Sequence, residues 1–392
     1  MNANEKSTST GNRIYWLDNL RTFMIFLVIL LHAGIVYESS GISAYISWIV
    51  VDPSTNDLSG ILSFVILDIF IMPTLFFIAG FFVPLSLKNK EGWAFLKSRF
   101  KRLIIPWLIA VLTLIPLYKV IFLYSRNLPQ ENWTTYFHFS SGILKGQNWL
   151  WFLPVLFLFN IVYFLLSKTN IDVSNMSFKV AVFITFLITV VYSVGMDVFG
   201  LGGWTETPLI DFQNERLLIY FLVFLLGALA FRQNIFGEGP KSKKLYIITI
   251  LTAWIPIIVY TILRLYPLLS PGKFIFSAGI DKLLLWFSFA LSLLCLVYLM
   301  VETFWRYVDK TGKIWNELNK NSYGVYIIHV IVLGCIALVM LNINIPSLLK
   351  YLILTISTFV VCNLIISFYR SLVQIIKAEA RTAKERQQLV KN

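Results

Sequence analysis

Charge is scarce in this 392-residue chain. Asp, Glu, Lys and Arg make up 14% of it, against roughly a quarter in ordinary soluble domains. With 58% hydrophobic residues as well, the composition excludes a soluble globular protein and a disordered one. Cysteine is scarcer. Cys295, Cys335 and Cys362 all lie in apolar stretches, so no disulfide framework, metal cluster or thiol chemistry is indicated. There is no G-x-x-x-x-G-K-[ST], hence no P-loop pump, and no G-x-S-x-G nucleophile elbow. The basic residues are not gathered in one soluble region, so nucleic-acid binding is not implied despite a net charge of +13. No loop is long enough for a soluble domain, and no internal repeat is visible.

What the chain has instead is apolar runs of about 20 residues, the length an α-helix needs to cross a bilayer, at a mean hydropathy of +0.75. The fold class expected is all-α: a polytopic membrane bundle of ten spans at about 15–38, 59–86, 103–123, 149–167, 180–200, 217–231, 245–266, 282–302, 323–341 and 350–370. In the first span, Thr22–Val36 has the length of a signal-peptide core, but no A-x-A cleavage site follows it and a histidine sits inside. An uncleaved span is expected. With the N-terminus inside, 24 of the 33 basic residues fall on inner segments and 8 on outer ones, Arg21 lying within the first span. That split predicts both termini in the cytoplasm of a multi-pass cell-membrane protein. The parts are then a cytoplasmic tail, 1–14, a membrane domain, 15–370, and a second cytoplasmic tail, 371–392, helical and solvated from Lys377 on. The longer outer loops, about 39–58 and 124–148, carry Tyr45, Trp48, Trp133, Tyr136 and His138. They read as interfacial or re-entrant segments, or as a sugar-stacking surface.

Ionisable residues inside spans are costly and mark functional candidates. Arg21 and His32 are eleven residues apart, three helical turns plus about 20°, so they share a face ~16 Å apart along the axis. Asp18, at i−3, can orient Arg21 by an ion pair. Arg21 near the inner interface and His32 deeper in suit a long anionic donor, its charged end on arginine and its reactive end at the imidazole. Taken singly, Arg21 also reads as a snorkelling anchor and His32 as an interhelical hydrogen-bonding group. Arg99, Lys101 and Arg102 precede the third span. Arg99 and Arg102 share a face, and guanidinium forks suit phosphate; a plain orientation signal is the other reading. Ser322, Tyr326 and His329 fall at i, i+4 and i+7, one stripe of two hydroxyls and an imidazole. Asp68 reads as an unpaired carboxyl within the second span, Glu215 with Arg216 as the outer start of the sixth, and Glu302 with Arg306 as a structural pair. His138 reads as polar surface.

At these residues the chain resembles the membrane acyltransferase-3 family. Leu17-Asp18-Asn19-Leu20-Arg21 with His32 is similar to the family's L-D-x-L-R and R-x10-H. Phe76-Phe77-Ile78-Ala79-Gly80-Phe81 is similar to its F-F-x-S-G-[FY]. Arg99–Arg102 with Pro106 resembles R-x-x-R-x-x-x-P, Trp151-Phe152-Leu153 resembles W-F-L, and Ser322 to His329 resembles S-Y-x-x-Y-x-x-H. Ala79 departs from the family's serine, which argues against a catalytic hydroxyl there and leaves the packing role of Gly80 intact. Length, ten spans and the opening Tyr15-x-Leu17-Asp18-x-x-Arg21 resemble the glucan biosynthesis protein C branch, glucan succinyltransferases.

The resemblance implies an O-acyltransferase that moves an acetyl or succinyl group from cytoplasmic acyl-CoA to a hydroxyl of an extracytoplasmic glycan, without a metal. His32 would be the base or acyl-handling residue, with Asp18, Arg21, Tyr326 and His329 beside it. Arg21, Arg99, Lys101, Arg102 and Ser322 would meet the CoA, and Trp149, Trp151 and Asp68 the carbohydrate acceptor. A transporter of a glycan or acylated lipid is the main rival; the chain lacks the paired Gly/Pro-broken spans of such folds. A non-catalytic partner of a polysaccharide synthase is the other.

Overall fold

The computed structural model describes residues 14–37, 48–52, 58–88, 92–138, 146–169, 176–237 and 242–389, with 58, 59 and 381–389 as backbone only. Most of the N-terminal tail and, in the outer loops, Tyr45 and Lys145 lie outside the described residues. The helices are α1 (Tyr15–Val36), α2 (Leu58–Phe81), α3 (Val83–Lys88), α4 (Gly92–Ser125), α5 (Phe152–Leu166), α6 (Phe178–Val198), α7 (Leu217–Arg232), α8 (Lys244–Thr252), α9 (Trp254–Leu269), α10 (Ala278–Tyr307), α11 (Lys313–Met340) and α12 (Ser347–Leu389). Short 3-10 turns occupy Trp133–Phe137 and Asn148–Trp151. Among the described residues nine helical stretches are long and apolar enough to cross a membrane, and α7 is a shorter apolar helix. These are the ten expected spans, and the chain is a polytopic all-α membrane protein.

The span ends differ from expectation where proline intervenes. The stretch read as 59–86 breaks at Phe82, and that read as 245–266 breaks at Ala253. Pro84 and Pro256 cannot donate a backbone bond to the preceding turn. Each sits in the first turn of the helix that follows, α3 or α9, where its missing N–H costs no intrahelical bond, whereas Pro73, Pro106, Pro116 and Pro267 lie inside helices that continue through them. Ser177 and Ser277 cap α6 and α10, their hydroxyls accepting from the Val180 and Ile280 N–H groups. The last span and the tail form one helix to Leu389. Between α6 and α7 a two-residue antiparallel hairpin pairs β1 (Trp204–Thr205) with β2 (Phe212–Gln213).

α1 lies at the centre, packed against α2, α10, α11 and α12. α2 and α7 pack through glycine. A Cβ on Gly80 would run into the Phe224 carbonyl oxygen, and one on Gly227 into that of Phe77; small residues let membrane helices approach this closely. Contacts between the basic segments place them at one end of the bundle. The Tyr323 hydroxyl donates to the Arg102 carbonyl at 2.7 Å, Arg306 to that of Ser242 at 2.7 Å, and Asn19 to that of Lys310 at 3.0 Å. The start of α1 lies there too, at what is the bundle's N-terminal end.

Candidate active site

α1 and α11 run side by side from the N-terminal end, and polar side chains fill their seam. Asn19 and Thr22 are buried on α1, and Asn319 and Ser322 on α11. The Asn319 amide donates to Asn19 Oδ1 at 2.8 Å, and the Thr22 hydroxyl to Asn319 Oδ1 at 2.5 Å. Each buried amide is thereby partnered, as an apolar bundle requires.

Arg21 stands at the open edge of this seam. Its Nε donates to Ser322 Oγ at 3.1 Å and its terminal nitrogen to the Asn319 carbonyl at 3.3 Å. Asp18 pairs with it at 3.0 Å, the i, i+3 orientation expected. About a third of the Arg21 side chain stays exposed. Arg102 adjoins the same region through its backbone, which Tyr323 holds. Arg99 lies over the Phe95 ring at 5.3 Å, and its Nε is buried without a hydrogen-bond partner. Lys101 is exposed on another face of α4, as its position between the two arginines dictates.

Deeper in the seam, His32 Nδ1 and His329 Nε2 are 2.8 Å apart. His329 is fully buried, and its Nδ1 is 2.6 Å from the Tyr326 carbonyl. The protons follow from the partners. A carbonyl only accepts, so His329 Nδ1 carries a proton. In the neutral ring His329 Nε2 then accepts from His32 Nδ1–H, and His32 Nε2 keeps a free lone pair. His32 has no other hydrogen-bond partner among the described residues, and its ring lies between His329 at 5.0 Å and Trp48 at 4.9 Å. The seam therefore ends in an imidazole of fixed tautomer whose Nε2 can accept a proton.

A short strap, residues 48–52, closes the far side. Arg126 donates to the Trp48 carbonyl at 2.8 Å and Ser125 to that of Ile49 at 3.2 Å. Asp52 is buried and paired with the buried Lys350 at 2.7 Å. The Trp48 indole N–H, beside His32, is buried without a partner. On the flank, Tyr326 donates to the Trp149 carbonyl at 2.5 Å, and Trp149 donates its indole N–H to the Ile327 carbonyl at 2.9 Å.

The expected residues thus divide. Asp18, Arg21, His32, Ser322, Tyr326 and His329 meet along one seam, with Arg102 beside its open edge. Trp149 is buried and braced against α11, its one polar group engaged. Trp151 stacks on Tyr220 at 5.8 Å and meets Trp204 edge-on at 5.6 Å. Asp68 corrects the expectation of an unpaired carboxyl: Arg216, buried at the N-cap of α7, binds it at 2.5 Å. The chain neighbours Glu215 and Arg216 do not act together, because Glu215 turns to the hairpin and accepts from the Gly203 N–H at 2.8 Å. Glu302 and Arg306 do form the structural pair expected. Sequence reasoning set Trp48 among interfacial aromatics and missed its place against His32.

A family profile described as an acyltransferase domain matches residues 14–367. The chain belongs to the acyltransferase-3 family and is a membrane acyltransferase. No curated protein and no solved structure matches it.

Proposed function

We propose that the chain transfers an acetyl or succinyl group from acyl-CoA to a glycan hydroxyl, with the donor entering at the N-terminal end from the cytoplasm and the acceptor arriving from outside the inner membrane. The observation that carries this reading is the His32–His329 pair, which leaves His32 Nε2 as a base at the end of a seam that opens on arginine. The CoA phosphates lie at Arg21, Arg99 and Arg102, where forked donors answer them. Lys101, on its own face of α4, adds to the positive potential at that end, and Ser322 holds the Arg21 fork. The pantetheine arm follows the seam to the thioester's place beside His32. The unpaired buried Nε of Arg99 supports a missing anion there.

His32 Nε2 takes the proton of the acceptor hydroxyl as its oxygen attacks the thioester carbonyl. A C–O bond forms, the oxyanion collapses and the C–S bond breaks. The imidazolium proton goes to the departing thiolate. His329 keeps the Nδ1–H of His32 pointed away from the acceptor and stabilises the charged ring. The unpartnered Trp48 indole N–H is the donor at hand for the oxyanion. Trp151 and Asp68 stand on the acceptor's side. The glucan succinyltransferase branch is the finer reading, supported by the opening motif and the length.

The test uses purified protein with acetyl-CoA or succinyl-CoA and a glycan acceptor, following free thiol and product mass. His32→Ala should lose ~10²–10⁴-fold in turnover, the usual worth of general acid–base catalysis, with donor affinity nearly unchanged. A folded, donor-binding His32→Ala protein that transfers at the parent rate would reduce His32 to packing and overturn the mechanism.

A further inference from the structure

Away from the α1–α11 seam, a cavity of about 430 Å³ opens at the N-terminal end among α5, α6 and α7. That volume is in the range of small-molecule sites. Its walls are apolar over most of their length: Ala181 and Ile184 of α6, and Leu222, Leu225 and Leu229 of α7. From Leu222 to Arg232 the cavity runs ~15 Å along α7. The shape is therefore long and greasy, and a hydrocarbon chain fits it.

Its mouth is polar and basic. Arg232 lines it, with its guanidinium carbon 5.7 Å from the centre of the Tyr163 ring. No carboxylate among the described residues pairs with Arg232, which is exposed at the helix end. The Tyr163 hydroxyl, also on the lining, is buried and has the Arg232 guanidinium as its polar neighbour. The last carbonyls of α5 are already answered: the Ser167 and Thr169 hydroxyls donate to Phe164 and Leu166 at 2.7 Å each. At the mouth the Tyr163 hydroxyl and the Arg232 guanidinium face each other, and no carboxylate among the described residues neutralises that cation. Met176, just before α6, also lines the cavity, so the N-terminal end of that helix lies at the same mouth.

We propose that this cavity is a binding site for an anionic phospholipid, one acyl chain lying along α7 and the phosphate on Arg232 and the Tyr163 hydroxyl. Charge complementarity selects the occupant, because a zwitterionic lipid would bring a second cation to the same mouth. The site is separate from the proposed acyl-transfer seam and does not depend on that reading.

The test is native mass spectrometry of the full chain in detergent, titrated with dioleoylphosphatidylglycerol or dioleoylphosphatidylcholine. The parent protein should retain the anionic lipid about fivefold better, the effect of one basic residue facing an anionic headgroup. Arg232→Gln should erase that preference, while Leu222→Trp and, separately, Ile184→Trp should fill the cavity and lower retention of both lipids. Thermal melting in detergent establishes that each variant is folded. Equal retention of the two lipids by the parent protein, or a preference that survives Arg232→Gln, would overturn the proposal. So would undiminished retention in both folded tryptophan variants.

Discussion

At the scale of single residues, the proposed chemistry turns on which nitrogen of His32 is free. The answer comes from the Tyr326 carbonyl, two hydrogen bonds away, through His329. His329→Asn should therefore lower turnover while leaving acyl-CoA affinity unchanged. Rates across pH should also change in shape, since the imidazolium loses its partner. A parent-like pH profile in the folded variant would remove His329 from the mechanism. Trp48→Phe keeps the aromatic ring and deletes only the indole N–H. If that group meets the oxyanion, turnover should fall ~10²–10³-fold at constant donor affinity; an unchanged rate would discard this role without touching His32. Outside the spans, Asp211 is buried and accepts from the Gln147 and Thr207 N–H groups. Burial raises its pKa from 3.8 to about 6, partly offset by those two hydrogen bonds. A carboxyl raised in the folded state contributes stability that is full below pH ~4 and lost as pH rises through about 6. The melting temperature of the parent protein in detergent should fall across that window. Asp211→Asn should flatten this part of the profile, and an equal slope in both proteins would refute the assignment.

At the scale of elements, the spans were legible because apolar runs report membrane crossing almost by themselves. The breaks at Phe82 and Ala253 were not read, although Pro84 and Pro256 were in plain view. Hydropathy is continuous across both points, and proline alone does not mark them, since Pro73, Pro106, Pro116 and Pro267 lie inside unbroken helices; the two breaks also correct the expectation of spans uninterrupted at proline. The candidate site was legible as stripes: Arg21 with His32 on one helix, and Ser322, Tyr326 and His329 on another. That the two stripes face each other was not, because the pairing of His32 with His329 crosses 297 residues of chain. The same limit hid the partner of Asp68. Arg216 lies 148 residues away and is adjacent to a nearer-looking carboxylate, Glu215. The pair ties α2 to the start of α7. Asp68→Ala should destabilise the protein by about 3 kcal/mol, the low end for a broken buried pair because Asp68 is partly exposed. Asp68→Ala combined with Arg216→Met should recover most of the loss, since no unpaired cation then remains. Melting of the three proteins in detergent decides it, and a double variant no better than the single one would show that the pair contributes more than mutual neutralisation.

At the scale of the whole molecule, the bundle places its basic segments at one end and the strap of residues 48–52 toward the other, with the histidine pair between them. On the proposed reading, a transferase so built would bring a charged donor and a polar acceptor together without carrying either across the bilayer whole. The measurement that tests this most directly is sided acyl transfer in proteoliposomes of known protein orientation, with labelled acyl-CoA on one side and glycan acceptor on the other. Acylated glycan should form only when the donor faces the N-terminal end and the acceptor faces the opposite end, and His32→Ala should abolish it. Product that forms only when donor and acceptor share one side, or equally from either side in intact vesicles, would contradict the account.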